Sequence, residues 1–134
     1  MKKQVVYLDM DGTIANLYGM ENWLENLINE VEGLFLDCEP FITEEELLKF
    51  FPTEEYELRI CSMTPLNATE EYCQVVINEK NQWLDKYFPS ITHRVYMAYG
   101  NNKNLRKKHK KLSTTTFLVS NFNPLISVHL KILF

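Results

Sequence analysis

No run of apolar residues in this sequence approaches the ~20 needed to span a bilayer as a helix. The start, Met1-Lys2-Lys3, is basic, but it lacks the apolar stretch and small-residue cleavage site of a secretory signal. Cysteine is scarce. Cys38, Cys61 and Cys73 have no metal-like spacing, and an odd number argues against a disulfide framework. A cytoplasmic compartment is therefore expected, with Cys61 and Cys73 as small buried hydrophobes. Charge of one sign is also missing. The formal net charge of −4 provides no general attraction for a nucleic-acid polymer or an anionic membrane. No internal repeat, low-complexity tract or long linker divides the 134 residues, which are expected to form one domain over 1–134.

What is present is concentrated near the beginning. Val5-Val6-Tyr7-Leu8 is a short β-branched and aromatic run that ends in Asp9-Met10-Asp11-Gly12-Thr13. Such a run, bounded by a glycine, predicts a buried strand of a parallel sheet. Asp9 and Asp11 then lie just past its carboxyl end, where open α/β sheets bind ligands. Two adjacent carboxylates repel unless a proton or cation sits between them, and Mg²⁺ suits such oxygen ligands. The pair also permits one carboxylate to attack phosphorus while the other handles a proton.

Downstream, apolar positions 20, 23, 24, 27, 28 and 31 predict an amphipathic helix over 20–32, with Gly33 as its stop. Thr43 and Glu46 have the form of a capping box opening a second helix over 44–51, closed by Pro52. Tyr56 to Cys61 reads as a second strand. A long helix follows over 68–87, with Tyr72, Val76, Trp83 and Tyr87 on one face. Further strands are expected near 93–98 and 115–119. Strands alternating with helices predict an α/β fold with a doubly wound, Rossmann-like parallel sheet.

The spelling Asp9-Met10-Asp11-Gly12-Thr13 resembles the first motif of the haloacid dehalogenase superfamily of phosphohydrolases. The resemblance implies that Asp9 is a nucleophile forming an aspartyl-phosphate, and that Asp11 is the acid and then the base. It also implies Mg²⁺ held by Asp9 and the backbone carbonyl of Asp11. Superfamily members often carry a cap inserted after the first strand. Here about 45 residues separate the first two strands, too many for a simple crossover. A small helical cap over 16–50 is one reading, and helices that merely cover a sheet face are the other.

By the same resemblance, Ser62 at the end of the second strand matches the hydroxyl that holds a phosphoryl oxygen, with Thr64 as its rival. Lys103, after Tyr99-Gly100, matches the lysine that offsets charge on the nucleophile. Residues 106–111 add a dense basic run, which is most often a solvated face. Met10, Gly12 and Thr13 of the motif, with Thr64, Tyr18 and Trp23, are candidate substrate contacts, and Phe35 is a further aromatic of the same region. One position departs from the pattern. After Phe117-Leu118-Val119 the superfamily places acids that complete the metal site, whereas this chain has Ser120 and Asn121. Asn121 offers Mg²⁺ a neutral carbonyl oxygen only, so weak metal affinity is expected.

Within the superfamily the likeness is to 5′(3′)-deoxyribonucleotidase-like proteins of bacteria and phages. It rests on the opening motif, Leu17-Tyr18-Gly19 with Asn22-Trp23-Leu24, and Tyr99-Gly100 with Lys103. The leading expectation is a Mg²⁺-dependent phosphomonoesterase acting on a small phosphorylated substrate such as a nucleoside monophosphate. Tyr18, Trp23 and Phe35 could stack on its base. The second reading is an impaired relative that binds a phosphorylated ligand or partner. A phosphate-accepting receiver domain shares the aspartate chemistry, but not Asp-x-Asp-Gly-Thr followed by a helical insertion. The apolar stretch 126–134 would complete the sheet as a fifth strand, or favour a homo-oligomer if exposed.

Overall fold

A computed structural model describes residues 2–97 and the backbone of 116–119. Four strands are present, β1 (Gln4–Leu8), β2 (Tyr56–Met63), β3 (Arg94–Met97) and β4 (Thr116–Val119). They form one parallel sheet in the order β3-β2-β1-β4. Three helices intervene, α1 (Trp23–Ile28), α2 (Glu44–Phe50) and α3 (Glu70–Tyr87). The chain is thus α/β, as its alternating pattern predicts. Strand order reverses at β1, which has β2 on one side and β4 on the other, and such a reversal opens a crevice at the carboxyl ends of the strands. Among the described residues, no helix is long and apolar enough to cross a membrane.

The core is one contiguous apolar cluster. Val6 and Leu8 of β1, Ile60 of β2 and Val76, Trp83 and Leu84 of α3 are its fully buried centre. Thr69 caps α3, accepting the Tyr72 N–H at 3.2 Å. Thr43 caps α2 through the Glu46 N–H (3.1 Å), while Glu46 accepts the Thr43 hydroxyl rather than the backbone donor of an ideal capping box.

The segment joining β1 to β2 leaves the sheet and returns beside itself. Asn16 N–H donates to Glu39 O (2.8 Å) and Phe41 N–H to Ile14 O (2.9 Å), so the excursion closes between residues 16 and 39. α2 lies outside that closure, with Leu47 buried in the core and Glu44 accepting the Ser90 N–H and hydroxyl.

Three expectations change. The helix over 20–32 shrinks to Trp23–Ile28, because Asn22 (φ 56) and Glu30 (φ 53) take left-handed conformations that bracket a short element. None of its six residues is buried, although Trp23 and Leu27 pack, half-buried, against the edge of the core. β2 runs two residues further than expected, so Ser62 sits inside the strand opposite Tyr96. Of the cysteines, Cys38 is the buried one, whereas Cys61 and Cys73 are half-buried. Lys103, the basic run 106–111, Ser120, Asn121 and the stretch 126–134 lie outside the described residues.

Candidate active site

The motif turn follows β1 directly. The Met10 carbonyl accepts three successive N–H groups, from Thr13 (3.2 Å), Ile14 (3.1 Å) and Ala15 (2.9 Å), curling the chain tightly. Gly12 is required twice over. Its φ of 77° is left-handed, and a Cβ there would meet the Tyr18 ring at 2.6 Å. Met10 and Thr13 are wholly buried.

Asp9 and Asp11 face a cavity of about 320 Å³ at the carboxyl ends of the strands. Tyr18, Trp23 and Phe35 contribute aromatic surface to its lining, and Thr64 and Leu66 line it as well. Tyr18 and Trp23 meet edge to face with centroids 4.8 Å apart. Asp9 accepts the Met10 N–H at 2.8 Å. Burial, reinforced by the neighbouring Asp11 charge, pushes the Asp9 carboxyl up to about 6, against the opposing pull of that N–H and of Lys80.

Lys80 is the buried cation beside the acid pair that sequence reading missed. It projects from the middle of α3 and is 1% exposed. Its ammonium donates to Asp11 Oδ2 (2.7 Å), Ser62 Oγ (2.8 Å) and the Met63 carbonyl (2.9 Å), so all three N–H donors are used. The Phe35 ring centroid lies 4.8 Å from the same nitrogen. A lysine inside a helical pattern normally reads as solvated. The available signal was its register, four residues after Val76 and three before Trp83, on the face that α3 buries.

Several expected contacts are rearranged. Ser62 is fully buried beneath Lys80 and does not line the cavity, whereas Thr64 does. The Thr64 hydroxyl donates to the Met97 carbonyl at 3.3 Å. Met10, Gly12 and Thr13 do not line the cavity either, since the tight curl turns the Met10 and Thr13 side chains into the core. Tyr18, Trp23 and Thr64 do line it. Asp11 Oδ1 is buried and has no hydrogen-bond partner, an orphan acceptor beside Asp9. The Asp9 carboxylate is an oxygen donor of the kind a hard cation takes. No group of three or more His, Cys, Asp or Glu capable of holding a metal occurs among the described residues.

No known family model matches this chain, and no curated protein matches it significantly.

Proposed function

We propose that this chain is a phosphomonoesterase of the haloacid dehalogenase superfamily, with a doubly wound sheet and residues 16–39 as a small cap. The observation that carries the reading is the Asp9–Asp11 pair at the reversal of the sheet, with a buried ammonium on the second carboxylate. Asp9 attacks phosphorus, the bond to the leaving oxygen breaks, and Asp11 supplies that oxygen with a proton. Lys80 occupies Asp11 Oδ2, so the partnerless Oδ1 is the atom that carries the proton. Asp11 then takes a proton from water, whose oxygen attacks the aspartyl-phosphate, releasing orthophosphate and restoring Asp9. The Lys80 ammonium, its donors taken by Asp11, Ser62 and the Met63 carbonyl, orients Asp11 and adds positive charge beneath the phosphoryl group, which would sit beside Thr64 in the cavity. Lys103 adds positive charge as the superfamily resemblance implies. The Asp9 carboxylate and the Asp11 backbone carbonyl, joined by Asn121, would hold Mg²⁺, whose charge would offset that of the phosphoryl group.

The aromatic surface of Tyr18, Trp23 and Phe35 supports a nucleoside monophosphate as the substrate, because a base offers a flat π-face to each ring. Phosphate release from a panel of nucleoside and sugar monophosphates, with millimolar Mg²⁺, is expected for wild type and absent in Asp9→Asn. Turnover that survives in Asp9→Asn overturns the phosphoaspartate mechanism.

The raised Asp9 carboxyl makes a second, independent expectation. Its folded value, about 6, exceeds the ordinary 3.8, so the folded state binds the proton more tightly. Wild type therefore loses stability as pH rises from about 4 to 6, and Asp9→Asn does not. At pH 7 the variant should be more stable by about 3 kcal/mol, since a pKa unit is worth about 1.4 kcal/mol, and the gain should shrink to well under 1 kcal/mol near pH 4. Denaturant unfolding at the two pH values reads it.

The presence of Ser120 and Asn121 where the superfamily carries acids favours a second reading, an impaired member that binds a phosphorylated ligand. Asn121→Asp separates the two. A large gain in Mg²⁺ affinity and rate supports impairment, and an already active wild type retires it.

A further inference from the structure

Helix α3 buries two ionisable side chains in succession, Glu79 (6% exposed) and Lys80 (1%). The Lys80 ammonium pairs with Asp11, which lines the cavity. Glu79 turns the other way, toward the far half of the excursion. Its Oε2 accepts the Gly33 N–H at 2.9 Å and its Oε1 the Phe35 N–H at 3.2 Å. A buried carboxylate is costly unless such charge-assisted bonds satisfy it, and here both oxygens are used. Gly33 adopts a φ of +90°, with open space where a Cβ would stand. The glycine thus serves the handedness of a turn that aims its N–H at the carboxylate.

The consequence lies one residue along the helix. The backbone that Glu79 grips carries Phe35, and the Phe35 ring covers the Lys80 nitrogen at 4.8 Å. The ring lies against an ammonium whose three N–H donors go to Asp11, Ser62 and the Met63 carbonyl. We propose that Glu79 is a positioning residue for Lys80, fixing Phe35 over the ammonium through the backbone of residues 33–35 and thereby aiming its three N–H donors. Two adjacent helix positions so link the fixed half of the excursion to Asp11 in the cavity lining. The effect on phosphoryl binding rests on the phosphomonoesterase reading. The effect on Lys80 does not.

The test uses the full chain with Glu79→Gln, Phe35→Leu and the double variant. Glutamine keeps the size but presents one acceptor oxygen to two N–H donors. Phe35→Leu leaves both Glu79 bonds in place and removes only the ring, so it decides the matter if Glu79→Gln fails to fold. The primary readout is the Lys80 Nζ resonance and its proton exchange by lysine-selective NMR, assigned with Lys80→Met. Each single variant should shift the resonance and speed exchange roughly five- to tenfold, the scale expected for a desolvated cation–π contact. The double variant should go no further than the larger single, because both act through one ring. A Lys80 signal unmoved by Phe35→Leu, or additive effects in the double variant, overturns the proposal. Orthophosphate titration of the same proteins is the second readout, and its affinity should fall in the same order. Orthophosphate that binds no variant and not wild type refutes the phosphoryl site, while the Lys80 resonance still decides the role of Glu79.

Discussion

The two halves of the excursion between residues 16 and 39 are built on opposite principles. In the far half, residues 30–38, Leu34, Phe35 and Cys38 are buried, and α3 holds the backbone at point after point. Glu30 accepts the Thr69 hydroxyl, Tyr72 OH donates to Val31 O (2.9 Å), Glu79 takes two N–H groups and Trp83 Nε1 donates to Cys38 O (2.8 Å). The near half contains α1, which buries no residue and leaves Leu24 and Ile28 at 52% and 70% exposure. Both halves reach the cavity, the far one through Phe35 and the near one through Trp23 and Leu27. Equal apolar content therefore does not mean equal anchoring. What differs is whether a neighbouring helix offers polar side chains to the departing backbone.

The contrast is broken most severely at Lys80. Lys80→Met strands the Asp11 carboxylate in a site built around a cation, and should cost about 3 kcal/mol or more in denaturant unfolding at pH 7. A loss below that of a single neutral hydrogen bond would mean that the ion pair holds nothing together. Next in size is Tyr72→Phe, which removes one bond between α3 and the far half. It should cost about 1 kcal/mol and quicken amide exchange at residues 30–35 while leaving α1 unaffected. Slowest of all to register is Ile28→Ser, on the outer face of α1, which should stay within about 0.5 kcal/mol of wild type. A larger loss there would show that the outer face of α1 is packed as well, and the asymmetry between the halves would fail.

The parts of the molecule that could be read in one dimension share a feature: their information is local. The acid motif after Leu8 works through adjacent residues, the curl that Gly12 allows and the strand that precedes it. Thr43 and Thr69 announce helix starts because the cap bond spans three residues. The alternation of strand and helix likewise follows from periodicity. The errors arose where a residue's meaning depends on what lies across space. The stripe from Met20 to Val31 has helical spacing, but two left-handed residues cut it short. Ser62 reads as the residue after a strand, yet pairing with Tyr96 extends β2 past it and buries it.

Lys80 and Glu79 mark the boundary most clearly. Sequence alone determined that two carboxylates stand at the end of a buried strand, since that needs only a run of apolar residues and the acids that end it. Which cation answers them was decided by tertiary structure. Lys80 lies 69 residues from Asp11, and Glu79 lies 46 from the glycine it holds. No periodicity encodes such distances. They exist because packing α3 on the sheet removes both side chains from water, and a buried charge must then find its partner wherever the fold provides one.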